Sequence, residues 1–142
     1  MILYLDTSAL VKIYVDESGS ELMRSAADGA DILVTSVIAY AEVRSAFARR
    51  RRFGDFSAEI LRSVKSKFKR DWLELETVPI DDQKARRAGE FAEVYRLKGF
   101  DAVHLATAEY FQSNLGPITF AYFDAELARA ASACGMMLLP TA

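Results

Sequence analysis

The sequence predicts an α/β protein in which a parallel sheet lies between layers of helices. Two observations carry that expectation. Short apolar, β-rich runs alternate with helical patterns along the chain, which implies parallel strands joined by crossover helices. The short runs are also near-continuously apolar, as strands covered on both faces should be. At 142 residues the chain is long enough for a sizeable core, so a single domain over 1–142 is expected.

Taken in order, "ILYL" (2–5) reads as a strand and "SALVKIYV" (8–15) as a short helix. "GSELMRSAAD" is a second helix, stopped by Gly29, and "ILVTS" (32–36) is a second strand. "VIAYAEVRSAFARRRRF" is a long helix ending at Gly54. "SAEILRSVKSKFKRDWLE" is another, with Ser57 as its N-cap. Together they form a helix-pair arm over about 37–73, the longest departure from strand–helix alternation. "LETVPI" (75–80) is a third strand. Asp81 or Asp82 caps a helix running to about Lys98, where Gly99 ends it. "DAVHLATAEYFQSNL" (101–115) is a helix broken by Gly116 and Pro117. "ITFAYF" (118–123) is a fourth strand, "AELARAASAC" a helix stopped by Gly135, and "MMLLP" a last short strand.

The composition, 51% apolar and 27% charged, is that of a soluble globular protein. No apolar run approaches membrane-spanning length. A first strand starting at Ile2 leaves no room for a cleaved leader, and the single Cys134 can form no internal disulfide. A cytoplasmic location is expected. The net charge of −2 conceals an asymmetry. From Arg44 to Arg70 ten basic residues stand against Asp55 and Glu59, a local charge of +8, so the other 115 residues carry −10. That split suggests a face for a polyanion.

The acids fall at chemically suggestive places. Ligands of open parallel sheets bind beyond the carboxyl ends of the strands. Asp6 ends the first strand and Asp124 follows the fourth. Each alone reads more plainly as a helix cap. On neighbouring strands they would share one rim. Glu42 lies amid the apolar residues of "SVIAYAEVRSAFA", and Asp101 lies in the first turn of a largely apolar helix. Four acids near one rim repel each other and raise each other's pKa unless a cation compensates. An all-oxygen donor set suits Mg²⁺ or Mn²⁺, and one His with one Cys does not suit zinc. Carboxylate-held divalent ions beside a basic flank point to a metal-dependent nuclease.

The pieces "YLDTSALVK", "TSVIAYAEV", "LKGFDAVHLATA" and "FAYFDAELARAA" together resemble the PIN-domain family, and more narrowly the VapC-type toxins of toxin–antitoxin pairs. The resemblance covers essentially the whole chain. It implies a three-layer fold with a parallel five-stranded sheet in the order 3-2-1-4-5, which sets strands one and four side by side. It implies that Asp6, Glu42, Asp101 and Asp124 are the metal-binding and catalytic acids of a Mg²⁺- or Mn²⁺-dependent ribonuclease. A homodimer, restrained by a cognate antitoxin, is expected with it. One departure is Tyr122, where many relatives carry a small hydroxyl residue, usually Thr.

Thr7 and Ser8 are expected to cap the first helix and support the site, Ser8 by orienting a water. Arg49, Arg51 and Lys65 are expected to contact RNA phosphates. Four successive helical residues cannot share one face, so part of Arg49–Arg52 faces solvent alone. Phe53, Phe56, Phe68 and Trp72 read first as the core of the helix pair or a groove for an antitoxin helix. His104, one turn after Asp101, reads as a packed, hydrogen-bonded helix residue. A haloacid-dehalogenase-type phosphatase needs D-x-D, and Ser8 stands where its second acid belongs. The alternative from another class is an inactive PIN-like module that binds RNA or a partner without cutting.

Overall fold

Strands β1 (Ile2–Leu5), β2 (Ile32–Ser36), β3 (Glu76–Val78), β4 (Ile118–Ala121) and β5 (Met137–Leu139) pair into one sheet in the order β3-β2-β1-β4-β5. Every pairing is parallel. The computed structural model describes residues 1–140; Thr141 and Ala142, the end of the expected 1–142 domain, lie outside the described residues. Among the described residues seven helices connect the strands: α1 (Thr7–Tyr14), α2 (Ser20–Gly29), α3 (Ile38–Arg52), α4 (Ala58–Trp72), α5 (Asp82–Tyr95), α6 (Gly99–Leu115) and α7 (Ala125–Ala133).

Side chains alternate across the sheet, so β1 feeds two cores. Leu3 and Leu5 point to one side, where Leu10, Met23, Val43, Phe47 and Phe68 from α1 to α4 cover them. Tyr4 points to the other, among Phe91, Leu105, Phe111, Phe120 and Leu127 from α5 to α7 and β4. Burial on both faces is why the strands read as continuous apolar runs.

Several boundaries differ from the sequence reading; β3, read as 75–80, spans Glu76–Val78. Helix α5 stops at Tyr95, and the left-handed cap is Arg96 (φ 56°, ψ 42°) rather than Gly99. The backbone N–H groups of both Arg96 and Leu97 donate to the Ala92 carbonyl, and Leu97 is buried. Seating that apolar side chain forces the turn three residues early, and Gly99 opens α6 instead. Strand β4 ends at Ala121, although the Tyr122 amide still donates to the Leu139 carbonyl at 3.0 Å.

The helix pair packs through aromatic rings. Tyr14, Tyr40, Phe47, Phe68 and Trp72 form a contiguous edge-and-face cluster that fastens α3 and α4 to α1. Tyr14 also donates its hydroxyl to Asp71 at 2.8 Å. Phe56, Phe68 and Trp72 therefore serve the core of the pair, whereas Phe53 at its turn is exposed.

Candidate active site

The order of the sheet places β4 beside β1, and Asp6 and Asp124 follow their carboxyl ends. The Asp6 amide donates to the Ala121 carbonyl, which ties the two strand ends together. Asp6 is also the N-cap of α1. Its Oδ1 accepts from the Ala9 amide at 2.8 Å and from the Ser8 hydroxyl at 2.7 Å. Asp124 caps α7, its Oδ1 accepting from the Leu127 amide at 2.9 Å. The capping and rim readings of these two acids hold at once, because one carboxylate oxygen serves each.

Glu42 reaches the rim from α3. Its Oε1 accepts from the Thr7 hydroxyl at 2.6 Å and lies 2.8 Å from His104 Nε2. Asp101 is not a cap: α6 begins after Lys98, with no capping side chain, and Asp101 lies in its first turn. Asp6, Glu42, Asp101 and Asp124 thus line one open cleft, with Thr7, Ser8 and His104 among its walls.

His104 is buried, as the sequence suggests, yet it grips a rim acid, which sequence reasoning did not anticipate. Its Nδ1 is 2.7 Å from the Tyr4 hydroxyl. Burial, and then the Asp6 charge, keep the Tyr4 phenol well above its ordinary pKa, so it stays protonated. Glu42 Oε1, an acceptor, faces Nε2, so Nε2 carries a proton and shares it between Glu42 Oε1 and Thr7 Oγ1, the latter at 3.0 Å. Tyr4, stacked on Phe120 with centroids 5.1 Å apart, anchors the relay in the core.

The electrostatics separate the acids. Burial pushes the Asp6 carboxyl up to about 6, against the pull of its hydrogen bonds. Asp101 is also raised, by burial and then by the Asp124 charge. Burial would raise Glu42 too, but the hydrogen bonds from His104 and Thr7 together hold it below its ordinary value. Asp6, Asp124 and Glu42 each keep a second oxygen that accepts no hydrogen bond among the described residues. Among those residues no buried side-chain nitrogen or oxygen lacks a partner, so these second oxygens reach solvent in the cleft. Such a set fits a hard divalent cation. No three carboxylate, imidazole or thiol side chains among the described residues close on a common point, so the acids border the cleft rather than form a ready cage.

Of the residues expected to contact RNA, Arg49 lines the cleft; Arg51 and Lys65 do not. Lys12 and Lys98 do line it, and both lie outside the basic run that drew attention in the sequence. Glu17, a fifth acid of the cleft, is held down by Lys12 at 3.0 Å and by Arg50. Tyr122 is half-buried and packs against the core on the Tyr4 side of the sheet, and Phe123 lines the cleft with Asp124.

The sequence model of the PIN domain matches residues 3–133. The chain is 36% identical over 107 residues to Ribonuclease VapC45 of Mycobacterium tuberculosis (strain CDC 1551 / Oshkosh), covering 75% of this chain and 74% of that one. It is 29% identical over 137 residues to Ribonuclease VapC46 of Mycobacterium tuberculosis (strain ATCC 25618 / H37Rv), covering 96% and 95%. Among solved structures, the fold resembles FitAB bound to an IR36 DNA fragment (TM-score 0.71, 18% identity, 98% and 94% covered). It also resembles VapBC2 from Rickettsia felis bound to a promoter DNA fragment (TM-score 0.63, 16% identity, 97% of each chain). With the sheet order, the rim of acids and these likenesses in agreement, the chain belongs to the PIN-domain family, among its VapC ribonucleases.

Proposed function

We propose that the protein is an endoribonuclease that hydrolyses RNA phosphodiester bonds with Mg²⁺ or Mn²⁺, and that it is the toxin of a toxin–antitoxin pair. The observation that carries this reading is the rim itself. Four acids from four separate elements face one cleft, and each keeps at least one oxygen free of hydrogen bonds to the described residues. A divalent ion bound there supplies Lewis-acid stabilisation of the phosphate and lowers the pKa of an attacking water.

Asp6, Asp101, Asp124 and Glu42 would hold that ion. Ser8 and the Ala9 amide fix the Asp6 carboxylate, while Thr7 and His104 fix Glu42 through Oε1. Lys12, Arg49 and Lys98 attract the phosphate backbone across a cleft whose acids would otherwise repel it. Water adds to phosphorus and the bond to the 3′ oxygen breaks, leaving a 5′-phosphate and a 3′-hydroxyl. The arm formed by α3 and α4 serves RNA and the antitoxin. The antitoxin brings an apolar segment along it and a basic residue towards the acids. The working state is a cytoplasmic homodimer; no helix among the described residues is long and apolar enough to cross a membrane.

The test is to incubate the purified chain with cellular RNA and map the cut ends, with Mg²⁺, Mn²⁺ or chelator. Cuts that need the ion and carry 5′-phosphates are expected. Ends with 2′,3′-cyclic phosphate, or no cutting with either ion, would overturn the reading, the latter in favour of a binding module.

A further inference from the structure

Glu17 also lines the cleft, and its carboxylate is bound unlike those of the four rim acids. Asp6, Glu42, Asp101 and Asp124 each keep an oxygen free of hydrogen bonds to the described residues. Glu17 keeps none. Its Oε1 accepts from Lys12 Nζ at 3.0 Å, and its Oε2 accepts from Arg50 of α3. With both oxygens taken, Glu17 holds two side-chain cations and has no oxygen to offer an ion of the rim.

Glu17 is itself fixed. Its amide donates to the Ser20 hydroxyl oxygen at 3.0 Å, and the Ser20 amide donates back to the Glu17 carbonyl at 3.1 Å. The buried Ser20 hydroxyl donates to the Val15 carbonyl. Gly19 (φ +92°) turns the chain here, so close to Phe123 that a Cβ would stand 2.7 Å from the ring. Segment 15–20 is therefore closed on itself and seated against the cleft wall.

Lys12 is the cation that bears on the site. It lies in α1, one helical turn beyond Ser8. Its ammonium sits between Glu17 and the Phe123 ring, 4.4 Å from the ring centroid. Among the described residues it pairs with none of the four rim acids, although it lines the same cleft. Carboxylates crowded at one rim repel each other and gain from any cation, and a lysine stem is flexible. Without Glu17 the ammonium would turn onto those acids and occupy the oxygens that a divalent ion needs.

We propose that Glu17 is a positioning residue that holds the Lys12 ammonium off Asp6 and Asp124, which keeps those carboxylates open to the divalent ion and leaves the lysine facing substrate phosphate. The inference rests on the metal-dependent nuclease reading and assigns a task to a cleft acid that the reading leaves idle.

The test reads metal binding, not cleavage. Electron paramagnetic resonance of free Mn²⁺ gives the dissociation constant of the parent and of variants shown to be folded by thermal unfolding. Glu17→Gln should weaken Mn²⁺ binding on the order of fivefold. Glu17→Asp, a milder change that keeps the charge and retracts it, should weaken binding less and in the same direction. Adding Lys12→Met to either variant should restore parental affinity, because no ammonium is left to cover the acids. Adding Arg50→Gln restores the same net charge but should not restore the affinity, because Arg50 does not line the cleft. Glu17 variants that bind Mn²⁺ like the parent would overturn the proposal. So would equal restoration by Arg50→Gln, which would reduce the effect to net charge. A parent that binds no Mn²⁺ overturns the metal reading and this inference with it. The predicted pattern in a chain that cuts no RNA supports this inference while overturning the nuclease reading.

Discussion

The arm and the cleft both carry basic side chains, but they organise them in opposite ways. In the arm the cations are dense in sequence and dispersed in space. Arg49 to Arg52 follow one another along α3, so the helix turns each about 100° from the last. Arg50 is taken by Glu17, Arg44 by the Tyr40 hydroxyl, and Lys67 lies over the Tyr14 ring. In the cleft the cations are sparse in sequence and gathered in space: Lys12 (itself paired with Glu17), Arg49 and Lys98 come from three elements and border the same four acids. Phosphate attraction depends on spatial convergence, so the cleft should dominate RNA affinity although the arm dominates the sequence.

The sharpest break would come from the acids themselves. Asp6→Asn and Asp101→Asn should each lower cleavage on the order of a thousandfold with the fold intact, since several kcal/mol of charge stabilisation is lost. Initial rates, with thermal unfolding as the control, check this. Near-parental activity in either variant would remove that residue from the site.

The next effect compares the two basic groups directly. Replacing Lys12, Arg49 and Lys98 by Gln should weaken RNA binding on the order of a hundredfold and flatten its salt dependence by about two log units per log of salt. The matched triple in the arm, Arg51, Arg52 and Lys65 to Gln, should cost only a few-fold. Titrations at several salt concentrations decide. If the arm variant flattens the slope more, the comparison is reversed and the RNA path follows α3 and α4.

A smaller effect is on stability. The Asp6 carboxyl is raised from 3.8 to about 6 by burial, so the folded state binds its proton more tightly than the unfolded chain. In the metal-free protein its penalty is absent below about pH 4 and grows as the pH rises through about 6. Asp6→Asn should therefore stabilise the apo protein on the order of 2 kcal/mol at pH 7 and by nothing at pH 4. Urea unfolding at the two values measures it, and equal effects at both would show that hydrogen bonding outweighs charge there.

The smallest change concerns the relay. His104→Gln should lower activity about tenfold, far less than Asp101→Asn, because Thr7 still holds Glu42. Cleavage rates of both variants, normalised to folded protein, give the ratio. An equal loss in a folded His104→Gln protein would make the imidazole part of the chemistry rather than a support for Glu42.

Much of this molecule was determined by the sequence alone. Apolar runs, Ser57 and one of Asp81 and Asp82 as caps, and Gly116 and Gly135 as stops mark strands and helices, because periodicity and capping act within a few residues; the structure assigns the second cap to Asp81. Asp6 and Asp124 were legible as rim acids for the same reason: a strand ends, a helix begins, and the acid between them faces the carboxyl edge. Only the tertiary structure decided what meets across the chain. His104 reaches Glu42 over 62 positions and Tyr4 over 100, contacts set by the order of the strands. Gly99 lost the left-handed turn to Arg96 because Leu97 had to enter the core. Lys12 and Lys98 gave no signal as isolated basic residues, and became cleft residues only when the sheet brought α1 and the start of α6 to one cleft. Local rules fix which atoms an element presents; the burial of its apolar face against distant elements fixes which atoms they are presented to.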